Sequence, residues 1–377
     1  MNYEEMRAKV HQGIDRQCAS LTSDPYRVQR IMNAAKQEGG QIMTKKFSRI
    51  AVVLTVILVL TLSTAIAAGI ISWHRGLEDM LRVSDETKEY YQATDLFDEP
   101  GLSVTQGDVT VTLEQAIVDT NAAYFAFRVK GYVPSEGQRP EFAAIDIDFK
   151  DKSFFAHASG SFFDGLVVSS DGTAVYLDGS VPDDYSAVPY TDENGDLVYI
   201  IRMFSDTPDM IGQHMTITLN DLAVYTDKWG ALEVKAPGVW TFECELKGTE
   251  HSLDISGLNT AIGDSGTTLT YAHLSPIHLQ VKLNVVPSLR EYEQYEDGDS
   301  FIPFFYGVKM KDGTRYDLIT EAGTTGYTSP DQEEHEYQML FTLNRIIEPA
   351  NVEAFLFSYP DEDGERKIVE VPLSNLN

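Results

Sequence analysis

Three regimes of apolar and polar positions follow one another along the chain. In residues 1–49, Tyr3, Met6, Val10, Ile14 and Leu21 recur at helical spacing, and Val28, Ile31, Met32 and Ala35 do so again. Between them, Asp24 is a good N-cap and Pro25 a good first helical residue, so the pattern predicts two short amphipathic helices ending at Gly39-Gly40. From Ile50 to Ser72 no charged residue interrupts the apolar run. At a rise of ~1.5 Å per residue, a helix of this length spans a ~30 Å hydrocarbon core. A short acidic helical stretch follows, with Leu77, Met80 and Leu81 on one face and a stop at Glu99-Pro100-Gly101. From Leu102 the period becomes two.

The runs VTVTL (109–113), YFAFRV (124–129), AIDIDF (144–149), VYLDG (175–179), LVYIIRMF (197–204), MTITLNDLAVY (215–225) and VWTFECEL (239–246) read as strands. A second set runs from TLTYAHL (268–274) to RKIVEVPL (366–373). Asp171-Gly172, Asn194-Gly195, Asp312-Gly313 and Asp363-Gly364 signal hairpins, since these residue pairs tolerate positive φ. A faint repeat matches Gly107-Asp108, Thr112-Leu113, Ala116, Val118, Phe125 and Phe127 to Gly263-Asp264, Thr268-Leu269, Ala272, Leu274, Leu279 and Val281, with a small length difference in the connecting turn. The predicted fold class is therefore mainly β. Two tandem immunoglobulin-like β-sandwich domains, 101–248 and 249–377, follow a cytoplasmic helical segment (1–49), a transmembrane helix (50–72) and an acidic stalk (73–100).

Charge gives this layout a direction. The net charge of the 377 residues is −29, yet residues 1–49 hold nine Lys/Arg against five Asp/Glu. Lys45, Lys46 and Arg49 crowd the near edge of the apolar run, which places the N-terminus in the cytoplasm and the large acidic body outside. Such a body repels nucleic acid and admits cationic partners. Cys18 and Cys244 lie on opposite sides of the anchor, so they form no disulfide framework, and Cys244 alternates with Trp240 and Phe242 on an apolar face. A competing layout exists. Met43 as an internal start, with Ala65-Ile66-Ala67 as a cleavage site, would make the run a secretory signal and the product a secreted surface protein. Continuation of the apolar run to Trp73, an interfacial residue type, favours a retained span.

The chemistry-bearing motifs are sparse. Gly160-Ser161 has no neighbouring base in sequence, and His273 and His278 flank Ser275-Pro276 without a carboxylate beside them. Asp192–Asp196 fails the calcium-loop spacing, and the acidic stretches 291–299 and 361–365 read as charged loops. His11 and Cys18 do not build a His/Cys zinc pattern. No catalytic, cofactor-binding or metal residues are assigned, and no cofactor is expected.

The Ser20–Arg30 stretch SLTSDPYRVQR, the Lys-Lys-Phe-Ser entry to the span, GDVTVTLEQAIVDTNAAYFAFRV (107–129) and the Leu-Ser-Pro-Ile turn (274–277) resemble bacterial single-pass membrane proteins with an extracytoplasmic domain of unknown function, family 4179. Some of these are labelled anti-sigma factors. The resemblance implies a cytoplasmic leader, one span and a β-rich outer region, and supplies no catalytic residues. The expected function is a non-enzymatic, membrane-anchored binding or sensing protein. Its partners would be the lipid bilayer, a cytoplasmic regulator such as a sigma factor bound by residues 1–49, and an envelope or extracellular ligand. The alternative is an envelope hydrolase using paired carboxylates.

Overall fold

Alternating apolar and polar residues form antiparallel ladders throughout the body of the protein. The computed structural model describes residues 74–92, 96–135, 137–182, 190–192, 194–226, 230–248, 250–285, 302–328, 335–360 and 366–373. The expected cytoplasmic helices with His11 and Cys18, the apolar run Ile50–Ser72 and the acidic stretches 291–299 and 361–365 lie outside the described residues. Among the described residues no helix is long and apolar enough to cross a membrane.

Two short helices come first, α1 (Arg75–Met80) and α2 (Asp85–Gln92). The N-terminal β unit holds β1 (Phe97–Asp98), β2 (Leu102–Gln106), β3 (Val109–Val118), β4 (Ala122–Lys130), β5 (Pro140–Phe149), β6 (His157–Phe162), β7 (Leu166–Val168), β8 (Ala174–Tyr176), β9 (Leu197–Phe204), β10 (His214–Tyr225) and β11 (Leu232–Glu245). The C-terminal unit holds β12 (Leu253–Ile255), β13 (Thr260–Ala261), β14 (Thr268–Leu274), β15 (His278–Asn284), β16 (Phe304–Met310), β17 (Arg315–Asp317), β18 (Thr320–Tyr327), β19 (Glu336–Leu343), β20 (Val352–Pro360) and β21 (Arg366–Pro372).

The two units share one strand order. In the first, β1-β3-β4-β9-β6 form one sheet, with β2 also on β3, and β11-β10-β5 form another. In the second, β12-β14-β15-β19-β18 form one sheet, with β13 on β14, and β21-β20-β16 another, extended by β17. The hairpin β7–β8 and the edge strand β17 are the additions that break the match. The sequence repeat is thus a repeat of topology, but its alignment shifts. Leu113 pairs with Phe127 and Leu269 with Leu283, and each ladder slips immediately afterwards, so Phe127 corresponds to Leu283 and the turns are equal in length. The apolar pattern alone is blind to this error, because a shift of two residues along a strand keeps the same face.

Each unit has a core filled from both of its sheets. Trp240, Phe142, Phe127 and Tyr199 lie in the first, and Phe305, Phe341, Phe355 and Phe357 in the second. A third cluster lies between the units. It gathers Leu77, Met80 and Leu81 of α1, Tyr91 of α2, Ile117, Tyr124, Val198 and Ile200 from one unit, and Ile277 and Leu340 from the other. This explains why LVYIIRMF does not alternate. Tyr199, Ile201 and Met203 face the unit's own core, while Val198 and Ile200 face the junction, so β9 is apolar on both sides. The stretch expected as an acidic stalk is folded into the junction rather than standing apart.

VWTFECEL belongs to a longer strand than its apolar run predicts. β11 starts at Leu232 and passes through Pro237-Gly238, at the edge of its sheet, where a missing donor costs no ladder bond on the open side. The partner strand bulges there: Asp221 takes a φ of 46° and its carboxylate accepts from the Gly238 N–H at 2.9 Å.

Candidate functional site

The junction is where chemistry-bearing side chains converge. After β3 and after β14 the chain makes the same turn at equivalent positions. Asp119 Oδ1 accepts from the N–H groups of Asn121 (2.8 Å) and Ala122 (2.5 Å). Ser275 Oγ accepts from those of Ile277 (3.3 Å) and His278 (2.9 Å). The two turns meet, with the Ser275 hydroxyl donating to Asp119 Oδ2 across 156 residues of sequence. Equivalent residues in contact place a pseudo-two-fold axis at this bond, the pattern of an isologous interface built within one chain. β9 and its counterpart β19 also touch.

Further bonds cross the junction. The Tyr124 hydroxyl donates to the Leu343 carbonyl at 2.6 Å, and Arg202 bridges to Glu321 at 2.9 Å. Arg345, nearly enclosed, stacks on Tyr316 with its guanidinium 4.4 Å from the ring centroid and donates to the Val168 carbonyl at 2.7 Å. Burial, with the Arg82 charge adding to it, pulls its pKa down to about 10. From the side of the two helices, the Ile346 N–H donates to the Leu81 carbonyl and the Tyr91 hydroxyl donates to Glu348, both against the C-terminal unit.

His273 and His278, singled out in the sequence, do come together here, with ring centroids 6.0 Å apart. Neither nitrogen of His278 has a hydrogen-bond partner, and burial together with His273 holds its pKa down to about 3, so the ring is neutral. Burial raises the Asp119 carboxyl, partly offset by the Ser275 hydroxyl and the two turn amides. Serine, histidine and aspartate are therefore all present, but not as a nucleophilic triad. The serine proton points to aspartate, the imidazoles are not bonded to the hydroxyl, and Asp119, Ser275 and His278 are all sealed from solvent. The group is a lock between the units.

The other sequence candidates fall elsewhere. Ser161 accepts from Arg202 at 3.2 Å. Asp192 Oδ1 accepts from the N–H groups of Asn194 and Asp196 around Gly195 (φ 80°), a self-contained turn instead of a cation loop. Burial pushes the Cys244 thiol up to about 12, which keeps it a packing group. Buried Glu141 serves Tyr199 in the first unit's core, so it does not pair with Asp119. Among the described residues no three His, Cys, Asp or Glu side chains are placed to hold a metal ion.

At one side the junction opens into a groove of about 260 Å³, lined by Phe155, His157 and Phe204 of one unit and Thr324, Thr325 and Leu340 of the other. His157 stacks on Phe204 (5.0 Å, 24°) and meets Phe155 edge-on (4.9 Å). Sequence reasoning missed this groove, because its residues come from separate strands and form no local motif.

Residues 41–131 match the family model of a domain of unknown function (DUF4179). Over that stretch the chain is similar to that domain. The DUF4179 stretch begins before the apolar run and ends one residue past β4, so it includes α1, α2 and Asp119 but none of the C-terminal unit. No curated protein matches the chain. Among solved structures, the crystal structure of the conserved domain protein from Bacillus anthracis aligns at 12% identity over 73% of this chain and 89% of its own, with a TM-score of 0.44. A structure described as BspA_C_mut aligns at 12% identity over 65% of this chain and 89% of its own, with a TM-score of 0.10.

Proposed function

We propose that this chain is a non-enzymatic binding or sensing protein held at the outer face of a membrane by residues 50–72. In this reading residues 1–49 are cytoplasmic and engage a regulator such as a sigma factor, so that the chain acts as an anti-sigma-like protein. Residues 101–248 and 249–377 form the two immunoglobulin-like domains outside. One observation carries the proposal: the helices that directly follow the apolar run are built into the junction between the β units. Leu77, Met80 and Leu81 are buried there, and Leu81 and Tyr91 bond to the C-terminal unit. A change in the relative position of the units thus moves the chain that enters the membrane. A simple tether would not need that connection, whereas a receptor would.

Protease treatment of intact cells tests the topology. The outer body is expected to be digested while an epitope within residues 1–49 survives, and the mature N-terminus is expected to lie before the apolar run. A mature chain beginning near Ala68 would sink the retained anchor. Capture of a defined regulator by residues 1–49, lost on deletion of the first helix, is the outcome expected of signalling.

A further inference from the structure

The edge of the C-terminal unit beside the groove is built unlike a protected sheet edge. β18, TEAGTTGY, is the last strand of its sheet and pairs only with β19 among the described residues. Natural edges are guarded by lysine, proline, bulges or a covering element, since an open row of backbone donors and acceptors pairs with any extended chain. β18 carries no lysine and no proline, its one register shift lies at its start between Thr320 and Ala322, and its one charge, Glu321, is committed to Arg202. Thr324 and Thr325 are both exposed, and a side chain added at Gly326 would meet nothing within 4 Å, so no packing explains the glycine. Facing this edge across the groove, Phe155 leaves 63% of its surface in water although its neighbours His157 and Phe204 could have covered it. The charge of the groove is one-sided. Among the described residues Asp206 stands in its wall without an ion-pair partner, and no lysine or arginine lines it.

We propose that this groove binds a short extended peptide segment by strand addition to β18. The backbone of the segment would continue the ladder, one apolar side chain would cover Phe155, and a lysine or arginine would meet Asp206. Residues two apart on a strand share a face, so these two side-chain demands are met by positions i and i+2 of the bound segment. This inference names the ligand class for the binding reading above and rests on that reading only for its biological setting. The site itself requires neither the anchor nor a cytoplasmic partner.

The test uses the full chain in detergent and a blocked ten-residue peptide of repeating Lys-Thr-Val-Thr, which places lysine and valine in turn on one face of the strand. Controls are the glutamate–valine counterpart, a version interrupted by proline, and a chito-oligosaccharide. The lysine–valine peptide is expected to bind and to slow hydrogen exchange of backbone amides in 320–327, while the glutamate and proline versions bind at least tenfold more weakly. Thr325→Lys and Phe155→Ala should each weaken binding about tenfold. Asp206→Asn should abolish the preference for lysine over glutamate. All three positions are at the groove wall, and unchanged thermal midpoints would show that the fold is intact. No peptide binding, binding indifferent to proline, affinities unmoved by Thr325→Lys and Phe155→Ala, or binding of the oligosaccharide alone would each overturn the proposal. Such a result would leave the protease-topology reading standing, and failure of that reading would leave this site standing.

Discussion

His278 is a histidine with no work for its nitrogens. It is fully buried, neither ring nitrogen is bonded, and its pKa is held at about 3 against an ordinary value of 6.5. Below about pH 6.5 the unfolded chain takes up a proton that the folded chain refuses. His278 therefore contributes stability above that pH, and the contribution is lost as the pH falls toward 3. Asp119 acts with the opposite sign: burial raises its carboxyl, so its contribution is full below its ordinary value of 3.8 and is lost as the pH rises through its folded value. Between pH 6.5 and 4.5 the His278 contribution falls on acidification, against an opposing change from Asp119. His278→Leu, which orphans no hydrogen bond, should flatten that fall when midpoints are compared at the two pH values. An equal slope in the variant would remove His278 from the account. The spacing of His273, Ser275 and His278 was legible in the sequence, but their partner Asp119 was not. It lies 156 residues away from Ser275, and only the packing of two turns brings it there.

At the scale of elements, α1 shows how tertiary contact overrides local preference. RGLEDM is a single short turn of helix, too brief to persist alone, and His74 caps it by accepting from the Leu77 N–H at 3.3 Å. Its apolar face is fixed by burial in the junction, where each of Leu77 and Leu81 contributes roughly 1.5–3 kcal/mol. Gly76 provides a test of which influence wins. In an exposed helix, Gly→Ala would stabilise by about 0.5–1 kcal/mol. Here a Cβ at Gly76 would lie 2.6 Å from Val198 Cγ1 in the packed junction. Gly76→Ala is therefore expected to destabilise by about 1–3 kcal/mol, measured by denaturant titration. A gain in stability would mean that α1 does not rest on β9. The sequence showed the apolar face of this helix as a small amphipathic stripe, and it could not show that a second β unit completes its cover.

For the whole molecule, the shared strand order and the contact of equivalent turns describe two similar units joined as a dimer would be. Most such intrachain junctions are modest and polar, and their domains move independently. This one has its own apolar cluster reaching from α1 and α2 through β4 and β9 to β19, with Tyr124, Arg202 and Asp119 bonded across it. Calorimetry of the full chain is expected to give one cooperative transition for the two β units. Arg202→Met together with Tyr124→Phe should split it into two or lower it as a whole. Two separated transitions in the unaltered protein would show that the units are independent beads and that the junction does not couple them.

The division of labour between sequence and structure is physical. Period-two alternation, the turn pairs Asp171-Gly172, Asn194-Gly195 and Asp312-Gly313, and the repeated apolar order follow from short-range preferences, so the sequence alone determined the mainly β class and most strand positions. The charge-free run and the asymmetry of charge around it are likewise sequence properties. Which strands are covered on both faces, where the repeat register truly lies, and that the helical stretch seals a junction are decided by contacts between residues far apart in the chain. A pleat looks the same after a shift of two, and an apolar stripe does not name its cover. The Asp119–Ser275 lock and the open edge of β18 beside Phe155 exist only once the two units have met.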